Sequence, residues 1–377
     1  MLEYGLARPE EERELLDFAN YVFSMSGQPT DFLRLQPRVY GRPGFSAITQ
    51  VARDGKRILG MVSAVTGTLK VGQEQLKYGY IGTVSTHPYA RGQGIMKVLM
   101  NNTMDALKEQ GCHFLALGGQ RQRYQHYGFE VAGALLNLSF TVGSLRHTLA
   151  ADPQNAYSFT PFEETGTEAT RLARELHASR AYGCLREEGD FSALMRTWGG
   201  KAFVVGRGAN ALGYLYQVGE RVAEFALQEE DCLPCVLADL LASQGRQSLS
   251  LTLPAWQAYR YPGLIAAADS MELSPNCNLR VLDWPRYLGA LLRFKAGIRP
   301  LMPGKASMSI DGAGCFALEV SGCEVHVSLT DEPGDLRLDP MAAIRLSSLY
   351  LSRDLYPDTP FLDWFPLPFS FQDADAF

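Results

Sequence analysis

Along the first 120 residues the spacing of apolar positions alternates between the period of a helix and that of a strand. Within 10–25, Leu15, Leu16, Phe18, Ala19, Val22 and Phe23 fall on one stripe, which predicts an amphipathic helix. Residues 47–52, 58–71 and 76–86 read as strands. Turns at Asp54-Gly55 and near Gly72-Gln73 mark them as antiparallel hairpins. Helical spacing returns over 94–110, with Ile95, Val98, Leu99, Asn102, Ala106 and Leu107 on one side and Gly111 as the stop. The apolar run 113–117 predicts a short buried strand.

Residues 152–155 read as a linker, after which the pattern begins again. Helices are expected at 168–179 and 191–198, strands at 202–205, 213–217 and 223–227, a helix at 233–243 and a strand at 248–253. The order resembles the first region, but 223–227 leads into Gln228-Glu229-Glu230-Asp231. Acidic side chains there would repel a pyrophosphate, so the second region is expected to be a degenerate copy without cofactor. From about Leu279 the character changes. Leu282-Asp283-Trp284-Pro285 opens a helix through Leu292, and alternating segments 306–310, 315–320 and 324–329 follow, separated by Asp311-Gly312 and Ser321-Gly322 turns. Helices are expected at 340–346 and 347–351, before a tail, 361–377, rich in aromatics and prolines. The pattern as a whole predicts a mixed α/β (α+β) protein.

Composition narrows the function classes. At 377 residues the chain exceeds one ordinary domain, and 46% apolar with 20% charged residues excludes long disorder. A formal net charge of −6 argues against duplex nucleic acid and is compatible with a cationic partner. The N-terminus has no basic region followed by an apolar core, and no apolar run reaches membrane length, so neither a signal peptide nor a membrane span is expected. Seven scattered cysteines fit reduced thiols in a cytoplasm. The Cys232-Leu233-Pro234-Cys235 pair has no second pair or histidines at useful spacing, so it is read as two packed thiols at a helix start, and no metal is expected.

The strongest chemical signal is Val84-Ser85-Thr86-His87-Pro88-Tyr89-Ala90-Arg91-Gly92-Gln93-Gly94-Ile95, a strand, a short loop and a helix. Consecutive N–H groups ahead of a helix form an anion-binding nest, reinforced by the helix dipole. Glycines let the backbone approach phosphates closely. The second signal is Tyr124-Gln125-His126-Tyr127-Gly128-Phe129. A phenol with a reference pKa of about 10 is protonated at neutral pH and suits a general acid; by proximity alone, Tyr124, His126 and Tyr127 compete for that role.

The loop resembles the cofactor signature of the GNAT superfamily, Arg/Gln-x-x-Gly-x-Gly/Ala. Arg91 and Gly94 match its first two fixed positions, and Met96 stands where Gly or Ala is usual. The resemblance implies that acetyl-CoA is held by Thr83, Val84 and Ser85 of a splayed strand, by Arg91, Gly92, Gln93, Gly94, Ile95 and Met96, and by Gly119 and Gln120 from the other side. Tyr-x-x-x-Gly-Phe is also a GNAT element, and its spacing selects Tyr124 as the acid that protonates the departing thiolate. Taken whole, the chain resembles the Eis (enhanced intracellular survival) branch. That resemblance implies a catalytic GNAT domain over 1–150, a degenerate GNAT domain over 151–278 and a sterol carrier protein-like domain over 279–377. It further implies acetyl transfer to an amine of an aminoglycoside-like polyamine or a lysine side chain, a homohexamer, and a terminal carboxylate, here that of Phe377, threaded into the active site as general base. Asp373 and Asp375 are candidate holders of a cationic acceptor. The competing expectation is a non-catalytic acyl-CoA or lipid-binding protein.

Overall fold

Two hairpins and one parallel crossover organise the first 133 residues of the computed structural model, which describes residues 2–25, 27–149, 156–164, 166–359 and 362–377. The linker expected at 152–155 and the tail residue Phe361 lie outside the described residues. Strands β1 (Leu2–Leu6), β2 (Thr49–Asp54), β3 (Arg57–Val71) and β4 (Glu74–Thr86) form an antiparallel ladder. Helices α1 (Glu12–Ser24), α2 (Phe32–Leu35) and α3 (Pro37–Tyr40) fill the connection from β1 to β2. Helix α4 (Ile95–Glu109) then carries the chain to β5 (Phe114–Leu117), which pairs with β4 in parallel. Of the stripe expected on α4, Ile95, Leu99 and Leu107 are buried, whereas Val98 is exposed and Asn102 and Ala106 are half-buried, because the buried face is turned towards Met100 and Met104. Ile95, Leu99, Met100, Met104 and Leu107 pack into one cluster with Val62, Ile81, Leu115 and Leu117 of the sheet.

The fold is mixed α/β, as the spacing predicts, and contact density divides it into two units. The first comprises Met1–Gly133, Cys277–Phe369 and Ala376–Phe377. In its main sheet, β5 is followed not by β6 (Glu130–Ala132) but by strand Cys277–Val281, antiparallel to both. A helix expected to end at Leu292 runs Trp284–Ile298, capped by the Asp283 side chain, which accepts from the Arg286 N–H. A four-stranded sheet follows, in the order Glu324–Thr330, Gly314–Ser321, Gly304–Ile310, Leu336–Leu338. Helix Pro340–Ser348 stops where Leu349 turns extended to bridge Gly133, so no helix spans 347–351.

The second unit comprises Ala134–Asn276 and Ser370–Asp375, around a seven-stranded sheet. Strand Arg221–Leu227, helix Leu233–Ser243 and strand Ser248–Pro254 repeat the strand–helix–parallel strand order of β4, α4 and β5. Here the turn before the helix is acidic, with Glu230 accepting from the Tyr261 hydroxyl and from Arg260. The helix expected over 191–198 is shorter. Phe191–Leu194 is helical, and Trp198, at φ 55°, breaks the following turn. Cys232 and Cys235 are free thiols at the start of helix Leu233–Ser243. Among the described residues no helix is long and apolar enough to cross a membrane, and no group of three or more His, Cys, Asp or Glu is placed to hold a metal ion.

One ionic cluster ties distant parts of the first unit together. Glu130 on β6 is fully buried and accepts from Arg121, from Gln125, from the Val131 N–H and from Arg345 of helix Pro340–Ser348. Burial pushes its carboxyl pKa up, but the bonds from Arg121, the Val131 N–H and Arg345 outweigh that and hold it at about 2, against 4.5 ordinarily. A folded pKa below the unfolded one contributes stability that is complete above the unfolded value and drains as pH falls towards the folded one. Glu130→Gln abolishes that dependence. The stability difference between wild type and variant, read by urea unfolding, should therefore narrow between about pH 5 and about pH 3. A difference that stays constant across that window would contradict the account.

Candidate active site

The main sheet of the first unit is irregular between β3 and β4. Met61 pairs with Ser85 and Ser63 with Gly82, so Thr83 and Val84 of β4 together face the single residue Val62 of β3. This bulge puts Thr83 at φ 44°, a conformation that costs a residue with a side chain about 1–3 kcal/mol unless its surroundings hold it. They do. The buried Tyr40 hydroxyl at the end of α3 donates to Thr83 Oγ1 at 2.8 Å, and Ser85 Oγ donates to the Thr83 carbonyl at 3.1 Å. Burial also drives the Tyr40 phenol pKa far above its ordinary value, so it remains a donor.

On its other side, β4 parts from β5. Their parallel ladder runs from Tyr78↔Phe114 to Ile81↔Leu117 and ends there, leaving the Gly82–Thr86 backbone beyond the last pair. The segment expected to splay, Thr83 to Ser85, lies within this stretch beyond the last β4–β5 pair. The chain then turns through His87 and the short helix Pro88–Ala90 into Arg91-Gly92-Gln93-Gly94. Gly92 and Gly94 have φ of 80° and 77°, and a Cβ on either would meet nothing within 4 Å, so this cradle is open. Gly94 precedes the first turn of α4 and caps it with no side chain. The first intrahelical bond is Val98 N–H to the Gly94 carbonyl, so the amides of Ile95, Met96 and Lys97 lie ahead of the ladder. Together with the helix dipole they form a site fit for a pyrophosphate.

Gly119 and Gln120 follow β5 and lead into α5 (Arg121–Gln125), which carries Tyr124. A Cβ on Gly119 would stand 2.9 Å from Tyr124 Cε2, so glycine is what lets the ring lie against this turn. Tyr124 is buried and meets Phe129 edge-on, with ring centroids 6.4 Å apart. Burial raises its pKa, which keeps the phenol protonated. His126 is exposed and Tyr127 half-buried, so of the three candidates only Tyr124 is enclosed.

The chain terminus lies on the bulge. Phe377 is 5% exposed, its ring centroid 6.0 Å from that of Tyr40. A Cβ on Gly82 would come 2.7 Å from Phe377 Cδ1 and 2.9 Å from the terminal backbone oxygen. Gln36 Nε2 donates to the Ala376 carbonyl at 3.2 Å. Gln36 and Tyr40 therefore hold the terminus and the bulge, and neither stands out in the sequence: both sit in helices of four residues or at their edges, too short for a periodic signal. Asp373 and Asp375 differ from expectation. Within the second unit, Asp375 is buried against Arg186, which also grips Glu224, and Asp373 pairs with Arg221. Both carboxylates already have cationic partners, which removes them as holders of a cationic acceptor.

Residues 3–132, about one third of the chain, match the acetyltransferase (GNAT) domain family. No curated protein matches the chain by sequence. Among solved structures, the chain is similar to a GCN5-related N-acetyltransferase from Kribbella flavida, with a TM-score of 0.70 at 16% identity over 100% of this chain and 98% of that one. A GCN5-related N-acetyltransferase from Anabaena variabilis gives 0.71 at 16% identity, and Eis1 from Mycobacterium abscessus 0.70 at 13%, each over 100% of both chains. At such identities the likeness is one of fold. The bulged strand, the glycine loop and the Tyr124 helix thus all lie within a stretch that carries an acetyltransferase (GNAT) domain, in a chain whose fold is shared with GCN5-related N-acetyltransferases.

Proposed function

We propose that the protein moves an acetyl group from acetyl-CoA to an amine of a cationic acceptor, an aminoglycoside-like polyamine or a lysine side chain, by direct attack in a ternary complex. The observation that carries this reading is the convergence on one bulge of a splayed strand, an open helix N-terminus and the chain's own carboxyl end. Thr83, Val84 and Ser85 offer backbone groups to the pantetheine arm. Arg91, Gly92, Gln93, Gly94, Ile95 and Met96 receive the pyrophosphate, and Gly119 and Gln120 close the other side. The acetyl thioester supplies the activated carbonyl.

N–H groups of the splayed strand polarise that carbonyl. The Phe377 carboxylate takes the proton of the acceptor ammonium, directly or through water; an α-carboxylate is ionised at neutral pH. As the C–N bond forms and the C–S bond breaks, Tyr124 gives its proton to the departing thiolate. Enclosure against Phe129 and Gly119 suits it to that role, because a raised pKa keeps the proton in place until the thiolate needs it. The same reading extends to the whole chain as a catalytic GNAT domain, a degenerate copy and a sterol carrier protein-like domain, assembled as a cytoplasmic homohexamer.

Thiol release from acetyl-CoA across a panel of aminoglycosides, polyamines and lysine peptides tests the activity; no turnover with any amine would refute it. Gly94→Glu sets a carboxylate where the pyrophosphate would lie and should abolish acetyl-CoA binding in calorimetry, with circular dichroism unchanged. An undiminished affinity would remove the loop from the site. Tyr124→Phe keeps the ring and deletes the proton, so kcat should fall by about 10²–10⁴-fold at constant acetyl-CoA affinity; a wild-type kcat would reassign Tyr124 to packing. Because the turn at 228–231 is acidic where the first unit has glycines, calorimetric titration should give one acetyl-CoA per chain. Two would overturn that assignment.

A further inference from the structure

Helix α5 has five residues, too few to hold its own shape or place in water. Its position is set from outside, and the contacts that set it converge on Glu130. Arg121, the first residue of α5, donates Nε and Nη2 to the two Glu130 oxygens, and Gln125, the last, donates Nε2 to Oε2 at 3.2 Å. One buried carboxylate therefore grips both ends of the helix, with Tyr124 between them. Arg345, on helix Pro340–Ser348, donates Nη1 to Glu130 Oε2, and its Nε is placed by the Tyr356 hydroxyl at 3.3 Å. Arg121 is about half exposed, whereas the Arg345 side chain is 24% exposed, so Arg345 is the better enclosed of the two charges that hold Glu130.

Other contacts hold the same stretch from the same later part of the chain. Asn278 Nδ2 donates to the Gly119 carbonyl at 3.1 Å, just ahead of α5, and Arg280 Nη1 donates to the Tyr127 carbonyl at 2.7 Å, just after it. The Gly133 N–H donates to the Ser348 carbonyl at 2.7 Å. Residues more than 140 positions downstream thus clasp the Tyr124 segment before, behind and beneath.

We infer that Arg345 is a positioning residue for Tyr124, acting through Glu130, so that the part of the chain after 277 sets the geometry of proton delivery in the first 133 residues. This rests on the reading of Tyr124 as the general acid. The Arg345 guanidinium fixes which way the Glu130 carboxylate faces, the carboxylate fixes both ends of α5, and α5 fixes the phenol. A misplacement of the acid by about 1 Å costs up to about 10²-fold in rate, while the glycine loop, which shares none of these contacts, keeps its hold on acetyl-CoA.

The test is a cycle of Arg345→Met and Tyr124→Phe in the full chain, with kcat from thiol release and acetyl-CoA affinity from calorimetry. Arg345→Met should lower kcat about 10-fold or more at unchanged affinity, and the loss should vanish in the Tyr124→Phe background. Arg345→Lys, which restores the charge, should recover part of the rate. A wild-type kcat for Arg345→Met, or an equal loss in both backgrounds, would overturn the positioning role and leave Tyr124 as the acid. A wild-type kcat for Tyr124→Phe alone would instead refute the acid assignment, whatever Arg345 does. Should Arg345→Met not fold, Arg345→Gln, which also removes the charge, carries the same comparison with the same outcomes.

Discussion

Everything at the candidate site depends on β4 leaving its regular ladder at Gly82–Ser85. A continuous strand would spend its hydrogen-bonding groups on β3 and β5 and offer nothing to a ligand. The bulge at Thr83 and Val84, with the last β4–β5 pair at Ile81↔Leu117, frees backbone on one edge while keeping it on a rigid support. The strain of a left-handed threonine persists because Tyr40 and Ser85 hold Thr83 from two sides. The terminal residue lies against Gly82, the residue just before the bulge. A side chain at 82 would collide with Phe377, so glycine at that position is what lets the terminal residue sit against the strand beside the bulge.

Much of this was legible where the signal was local. The extent of α4, the glycines before it and the hairpins of β2, β3 and β4 are each decided by residues within a few positions of one another, and they fold as their spacing predicts. The seat of Tyr124 was legible only in part. Its placement rests on Gly119, Phe129 and Glu130, which are near, but also on Asn278 and Arg280, brought by strand Cys277–Val281 inserted between β5 and β6, and on Arg345 of helix Pro340–Ser348. No periodicity announces an insertion from so far along the chain. Short helices were missed for a related reason: four or five residues, as in α2, α3 and α5, make little more than one turn and cannot display a stripe.

Charge was the least readable quantity. Asp373 and Asp375 look available in the sequence, yet Asp375 lies fully enclosed against Arg186, which it shares with Glu224. A carboxylate so buried is retained only with a partner, because removing its water without replacing its hydrogen bonds is costly. The tail's aromatic residues behave as their composition suggests: Trp364, Phe365 and Phe369 are buried in the first unit, and Phe371 in the second. From Trp364 on, the tail is therefore packed down, not frayed as chain ends usually are.

The central claim is that the terminal carboxylate, seated over Gly82, works as the general base. Appending two glycines after Phe377 moves the carboxylate and leaves every side chain of the protein unchanged. The account predicts that the extended protein binds acetyl-CoA as before while kcat falls by about 10²-fold or more. Turnover that survives the extension unchanged would contradict it.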